Sequence, residues 1–324
     1  MKESTHKLMT LDFWRICLSN FFFYAAVWTL LPILPAHCYL MGLNQTEMAT
    51  SLLLFVVAMI GVGPLHAFLG DMFKRKHVLM LSTLAIALCF GGWLMVTASW
   101  QVMLLMFLAG AMFGIATTAG ITIGIDITQS HSRGKGNRIY AFSGALGLLI
   151  GLCCLSPFYL VMDFSSFVFI SLALFLLTLV IEAGVYVAFR APVGVGLFNI
   201  DRFFLPLAWV PAVNVCMLSF GIGMLLNLLP PYSWAGTLMV VVLTFVTAPL
   251  TRLFVKLSHH CQRGTANTTL QLATQTGLIL GMIEGERIAS NLLFGSVTIL
   301  LAVLMMGTVT WSYFKQKRVR PWLE

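Results

Sequence analysis

Residues 70–76 place one acid and three bases within seven positions, directly after a long apolar run. Asp71 and Arg75 are four residues apart, so one helical turn or a tight loop keeps their side chains close together. Charge-assisted hydrogen bonds from this cluster, which also includes Lys76, can form in one conformation and break in another, and so bias the equilibrium between the two. The residue types predict a short charged turn at a membrane face between two spanning helices, with a gating contact and a plain positive-inside loop as the two interpretations.

Glu182 is the acid that lies most clearly inside an apolar run. An ionisable side chain within a membrane span is a functional candidate by default, and for this carboxyl group the function we consider is proton coupling. Arg190 follows near the end of the same run, so the alternative is that Glu182 leans toward the membrane surface and pairs with this base. The sequence leaves both interpretations open.

Six polar or aromatic side chains inside apolar runs are candidates for the lining of a substrate cavity: Asn20, Tyr24, Trp28, Thr118, Thr122 and Asn214. The first three are spaced four residues apart and therefore share one face of a helix. Ordinary packing is the alternative for all six, because small and weakly polar residues also line close helix contacts in any membrane bundle.

Motifs of enzymes are absent from the sequence. It contains no His-Glu-x-x-His, no Gly-x-Ser-x-Gly and no phosphate-binding Gly-x-x-x-x-Gly-Lys run. The seven cysteines form no Cys-x-x-Cys pair, which argues against a structural metal site. We therefore expect no enzymatic activity, no cofactor and no bound metal.

The composition excludes a soluble protein. Hydrophobic residues make up 59% of the chain and charged residues only 9%, whereas soluble domains carry roughly 25% charged residues. Apolar runs of about 20 residues recur along the chain and predict an all-α, polytopic membrane protein embedded in the lipid bilayer. We place ten spans at 13–36, 49–70, 77–97, 100–125, 139–161, 166–189, 204–229, 233–256, 268–284 and 290–314.

The distribution of bases predicts the orientation of these spans. With both termini in the cytoplasm, 18 of the 19 Lys and Arg residues fall on the cytoplasmic side, as the positive-inside rule requires. The net charge of +8 follows from this orientation, so we expect no nucleic-acid partner. Two glycines and a proline at 191–203 indicate a linker between a six-helix N-terminal half, 1–190, and a four-helix C-terminal half, 204–324.

The turn after the second span resembles the loop signature of the major facilitator superfamily. Positions that match this signature are Leu69, Gly70, Asp71, Phe73, Arg75 and Lys76, while Ala67 and Lys74 stand where the family has glycine. The resemblance implies that Asp71 caps a helix of the opposite half and that Arg75 pairs with an acid at the end of the fourth span. Asp126 occupies that position here.

Residues 263–269, which include Arg263 and Gly264, resemble the loop before the eleventh helix in bacterial drug- and sugar-efflux members of the superfamily. Thr265 or Asn267 could cap the start of that helix. The resemblance assigns Arg263 and Gly264 to the gating set, and it places the protein in a bacterial cytoplasmic membrane.

The resemblance implies a secondary active transporter of a drug, sugar or other small metabolite that works by alternating access. It is compatible with proton coupling. The family has twelve spans, whereas ten are counted here, so the C-terminal half is shortened by about two helices. The alternative is a non-transporting membrane scaffold or a truncated remnant of such a transporter.

Overall fold

A computed structural model describes residues 10–129, 132–152, 158, 161–188, 194, 196–228, 241, 253–254, 256–258, 262–290, 304, 307–308 and 310–311. All regular structure in these residues is helical. The α-helices are α1 Leu11–Leu30, α2 Leu34–Leu40, α3 Gln45–Val62, α4 His66–Met72, α5 Arg75–Gly92, α6 Ser99–Ile127, α7 Arg133–Ile150, α8 Phe164–Ala183, α9 Trp209–Leu228 and α10 Arg263–Ser290.

Within the described residues, six helical stretches are long and apolar enough to cross a membrane. They are Leu11–Leu40, Gln45–Met72, Arg75–Met95, Ser99–Ile127, Phe164–Ala183 and Pro206–Met224. The first stretch is interrupted between α1 and α2 at Pro32, which has no backbone N–H to donate to the preceding turn. The second is interrupted at Gly63–Leu65, a 3₁₀ turn that contains Pro64.

The all-α, polytopic architecture is confirmed, while the count of ten spans stays a prediction. The predicted spans 233–256 and 290–314 lie mainly outside the described residues. Helix ends differ from several predicted boundaries. Helix α7 begins at Arg133, before the predicted start at 139, because its first turns carry bases and therefore fall outside the apolar run. Helix α8 ends at Ala183, before the predicted end at 189.

Residues 263–269 are the first two turns of α10 and not the predicted loop. Thr265 and Asn267 therefore lie inside the helix and do not cap it. The predicted short span 268–284 is the central part of this 28-residue helix. Its polar residues lower the hydropathy of the segment, so a hydropathy pattern underestimates the length of the helix, whereas burial of residues 265–270, 277–279 and 281–283 stabilises it in the fold.

Helices α1–α8 form one bundle, here called the first bundle. In it α1 packs on α7 and α8, α3 packs on α6, and α5 packs on α6 and α8. Backbones come unusually close at several glycines of this bundle. For example, a Cβ on Gly110 would lie 2.2 Å from the Phe55 carbonyl oxygen, and one on Gly147 would lie 2.1 Å from that of Phe21. Small residues permit this approach, as is usual where membrane helices pack.

Helices α9 and α10 pack closely on each other, and α10 also contacts α3, α6 and α7 of the first bundle. Leu278, Ile279 and Met282 of α10 belong to the same apolar core as the first bundle. A connector, residues 194 and 196–208, leads from the first bundle into α9. Its Leu205 N–H donates a hydrogen bond of 2.8 Å to Thr269 Oγ1.

Candidate functional site

The turn between α4 and α5 positions Asp71 and Arg75. Helix α4 ends at Met72 because Phe73 adopts an extended backbone, with φ −115° and ψ 159°, and α5 begins at Arg75. The acid and the base therefore lie on different helices on either side of a tight turn. Each side chain points to a different part of the molecule.

Arg75 forms an ion pair with Asp126 in the last turn of α6. The two side chains are only 22% and 12% exposed, so water screens the pair less than it screens a surface pair. The Arg75 Nε also lies 3.5 Å from the Gly70 carbonyl oxygen, at the limit of a hydrogen bond. The ion pair ties the α4–α5 turn to the end of α6.

Asp71 accepts a hydrogen bond of 2.8 Å from the backbone N–H of Gly194 in the connector. Gly194 has a φ of +77°, a conformation that glycine adopts without the steric cost of a Cβ. The turn that carries Asp71 and Arg75 is thus attached on one side to α6 and on the other to the connector.

Lys76 directly follows this turn, but its side chain binds the C-terminal end of α8. Its Nζ donates a hydrogen bond of 2.6 Å to the Ala183 carbonyl oxygen at the end of α8. Arg15 Nη1 donates to the next carbonyl, that of Gly184, over 2.9 Å. Cations at a helix C-terminus satisfy free carbonyl groups and interact favourably with the helix dipole, so both bases fix the end of α8.

A cavity of about 460 Å³ lies beside the ion pair. The first bundle, the connector and α10 all contribute to its walls, which are lined by His66, Ala67, Gly70, Arg75, Val78, Ala119, Thr122, Ile125, Asp126, Arg133, Asp201, Arg202, Gln262, Gly264, Thr265 and Thr268. Gly264 brings α10 against α6, since a Cβ there would lie 2.9 Å from Ile125 Cδ1. The side chain of Arg263 lies outside the described residues.

Of the predicted cavity residues, Thr122 lines this cavity and the other five lie elsewhere. Thr118 is buried in α6, where its hydroxyl donates to the Gly114 carbonyl oxygen over 2.7 Å. Asn214 Nδ2 donates to Thr310 Oγ1 over 2.9 Å.

The shared face of Asn20, Tyr24 and Trp28 is buried in the protein. Asn20 Nδ2 donates to the Tyr140 carbonyl oxygen of α7 over 3.0 Å. Trp28 is fully buried, and its Nε1 donates to Gln275 Oε1 of α10 over 3.1 Å. This face therefore joins α1 to α7 and, through Trp28, to the α9–α10 pair.

Glu182 lies in a pocket between three helices of the first bundle. Its side chain is buried, and its Oε1 accepts hydrogen bonds from Ser19 of α1 at 3.0 Å and Thr83 of α5 at 3.2 Å. Its Oε2 has no hydrogen-bond partner among the described residues. No ion pair joins Glu182 to a base in this part of the chain.

Three charged residues of the cavity were not among the predicted site residues: Arg133, Asp201 and Arg202. In the sequence the two arginines only mark the cytoplasmic side, because positive-inside counting does not distinguish a base on an open surface from one in a cavity. Their convergence depends on the fold of the connector against α4 and α10, for which the sequence carries no local signal.

The Major Facilitator Superfamily family model matches residues 16–211, more than half of the chain. The chain belongs to the major facilitator superfamily. Among solved structures, this superfamily member is similar to a mutant of the nucleoside transporter NupG, with a TM-score of 0.62, 13% identity and coverage of 91% of this chain and 99% of that one. It is also similar to the human organic anion transporter MFSD10 (TETRAN), with a TM-score of 0.59, 13% identity and coverage of 94% and 99%.

These similarities at 13% identity concern the fold, and no curated protein matches the sequence. Membership of the superfamily makes this chain a membrane transport protein rather than an enzyme, as predicted. The narrower drug- or sugar-efflux assignment stays a prediction.

Proposed function

We propose that this superfamily member is a secondary transporter that moves a small solute by alternating access. The observation that carries the proposal is the cavity formed jointly by the first bundle, the connector and α10, directly against the Arg75–Asp126 ion pair. Solute bound between two bundles becomes accessible to one side when the bundles separate there.

The α4–α5 turn is the gating element of this proposal. Separation of α10 and the connector from the first bundle breaks the Asp71–Gly194 hydrogen bond and opens the cavity beside Arg75. The Arg75–Asp126 pair holds the turn in place while the cavity is closed. Residues 1–190 and 204–324 are the two moving halves, and 191–203 is the linker that faces the cytoplasm together with both termini.

Proton coupling belongs to the same proposal and rests on Glu182. A buried carboxyl group with one oxygen unpartnered among the described residues can bind and release a proton as its surroundings change. Its partners Ser19 and Thr83 lie on α1 and α5. Protonation therefore changes hydrogen bonds of α1, which contacts α10 through Trp28, and of α5, which lines the cavity.

Transport is tested with purified protein in proteoliposomes, by counterflow of radiolabelled solutes. The panel comprises nucleosides and organic anions, which the names of the two similar proteins suggest, together with sugars and cationic drugs. We expect saturable counterflow of at least one solute class. The variant Arg75→Gln lowers its rate about tenfold, within the usual range of conformational coupling energies.

The double variant Arg75→Asp/Asp126→Arg restores an ion pair with reversed polarity and should recover part of the lost rate. Lys74→Gln is the matched control, because Lys74 is an exposed base in the same turn. Folded, inserted protein that transports no member of the panel would contradict the proposal and favour a membrane scaffold. Equal rates for Arg75→Gln and Lys74→Gln would exclude the ion pair as the gate.

A further inference from the structure

Arginines from three separate segments converge on the cavity. Arg75 begins α5, Arg133 begins α7, and Arg202 ends the 3₁₀ turn Ile200–Arg202 of the connector. All three line the cavity together with His66. The first bundle and the connector therefore present positive charge to one space.

The carboxylates in this cavity do not neutralise the arginines. Asp126 is engaged by Arg75, whereas Arg133 and Arg202 form no ion pair within the described part of the chain. Asp201 is the second acid of the lining; it and Arg202 are exposed, whereas Asp126 and Arg133 are partly buried. Three arginines thus face two carboxylates, and the lining keeps a net positive charge.

Arg133 also carries an unsatisfied donor. Its Nε is buried and has no hydrogen-bond partner among the described residues. A buried donor without a partner costs free energy, because it has lost its bonds to water, and such groups in folded proteins generally have a partner. The N–H groups of a guanidinium group match the oxygens of a carboxylate or a phosphate.

We propose that this cavity binds an anionic group, a carboxylate or a phosphate, between Arg133 and Arg202, where it competes with Asp126 for Arg75. The inference rests on the proposed transport function only for the consequence of binding: an anion that replaces Asp126 at Arg75 releases the α4–α5 turn and favours opening. Binding itself requires no transport, so it is measured separately.

The anionic group has two chemical sources. It belongs either to a soluble solute that enters the cavity from water or to the headgroup of an anionic lipid at the membrane surface. Both present the same oxygens to the arginines. Soluble anions bind in a bilayer of purely zwitterionic lipid, whereas a headgroup requires anionic lipid in the bilayer.

The test uses the full chain in nanodiscs and follows thermal unfolding, because a ligand that binds the folded state raises the unfolding temperature with concentration. The soluble probes are inorganic phosphate and succinate in phosphatidylcholine discs, with ribose as an uncharged control. The lipid probe is phosphatidylglycerol, incorporated in discs without added anion. Sodium chloride is adjusted to equal ionic strength throughout.

We expect saturable stabilisation by phosphate, succinate or phosphatidylglycerol, and none by ribose. Arg133→Gln should weaken the affinity at least tenfold, about the loss of one charge-assisted hydrogen bond. Asp126→Asn should strengthen it about tenfold, because the competing carboxylate is gone. A role confined to structural support of the fold does not predict opposite effects of these two variants.

Lys74→Gln again provides the control for charge alone, and its affinity should equal that of the native chain. The source is a soluble anion if phosphate or succinate acts in phosphatidylcholine discs, and a lipid headgroup if only phosphatidylglycerol acts. Absence of stabilisation by all three anionic probes, or equal affinities in Arg133→Gln and Lys74→Gln, overturns the proposal.

Discussion

Arg75 and Glu182 illustrate two ways in which a charged side chain is accommodated in this bundle. Arg75 keeps its charge by pairing with an acid on a neighbouring helix. Glu182 instead accepts two hydroxyl hydrogen bonds on one oxygen, and no base pairs with it in the described part of the chain. The first arrangement suits a contact that breaks and reforms, and the second suits a site that exchanges a proton.

A substitution at Glu182 can remove its titratable proton and still keep its hydrogen bonds to Ser19 and Thr83. Glu182→Gln retains an oxygen acceptor for Ser19 and Thr83 but cannot titrate. We expect this variant to lose solute accumulation driven by a pH gradient while it retains counterflow, which needs no net proton movement. Both are measured in the same proteoliposomes.

The control for structure is Glu182→Ala, which leaves two hydroxyl groups without their acceptor and creates a cavity. It should destabilise the protein by about 2 kcal/mol in denaturant unfolding, whereas Glu182→Gln should not. Accumulation driven by a pH gradient that is undiminished in Glu182→Gln would remove this residue from proton coupling.

Among the structural elements, the break between α3 and α4 is filled by a side chain from the connector. The ring of Phe203 packs against Gly63, where an added Cβ would lie 2.3 Å from two ring carbons. Phe203 is buried, and its ring centre lies 6.2 Å from that of His66. The absence of a side chain at Gly63 thus makes room for a contact between the connector and the first bundle.

We expect Gly63→Ala to displace Phe203 and weaken this contact. The closed arrangement at the α4–α5 turn is then less populated, and a cysteine placed at Thr122 in the cavity reacts faster with a water-soluble maleimide. A roughly tenfold increase in the labelling rate corresponds to a shift of about 1.4 kcal/mol. Gly61→Ala is the matched control, since a Cβ there meets no atom within 4 Å.

Labelling rates that are equal in the two glycine variants would show that Phe203 does not hold the cavity closed. In that outcome the ring merely fills space at the 3₁₀ turn. Adding Gly63→Ala to a Phe203→Ala variant distinguishes a steric effect from a backbone effect. Without the ring, the added methyl group should change the labelling rate no more than it does in the Gly61→Ala control.

The helices that carry the site could be largely predicted from the sequence, because apolar length and flanking charge define membrane spans. The Arg75–Asp126 pair, implied by resemblance to the superfamily, is present in the structure. Residues such as Arg133 and Phe203 could not be placed, since the residues around them lie on distant segments and no local pattern indicates them. Trp28 shares a buried helix face with Asn20 and Tyr24, and its hydrogen bond to Gln275 depends on the packing of α10.

At the scale of the whole molecule, α10 is one of the described elements through which the second part of the chain meets the first. Near its beginning Gly264 contacts Ile125, and near its end Met282 joins the apolar core of the first bundle. Alternating access requires one of these contacts to open while the other persists. The proximity of Gly264 to Ile125 makes the first of them accessible to cross-linking.

We expect Ile125→Cys/Gly264→Cys, in a background without the seven native cysteines, to form a disulfide on oxidation and to stop transport. Reduction should restore the rate, because the cross-link blocks separation of α6 and α10 without removing any residue of the cavity's charged lining. Cross-linking is followed by gel mobility after cleavage in an engineered protease site, and transport by counterflow. Each single-cysteine variant serves as control, and full transport by the cross-linked protein would contradict a moving contact at this position.

The contacts of α1 have a consequence for biogenesis. Asn20, Glu182's partner Ser19, and Trp28 bond to groups that follow them in the chain by 120, 163 and 247 residues, respectively. Because synthesis proceeds from the N-terminus, α1 enters the bilayer before any of these partners has been translated. Its amide, hydroxyl and indole groups therefore cannot complete these bonds until α7, α8 and finally α10 are inserted, so α1 precedes these helices in synthesis but completes its bonds only with the last of them.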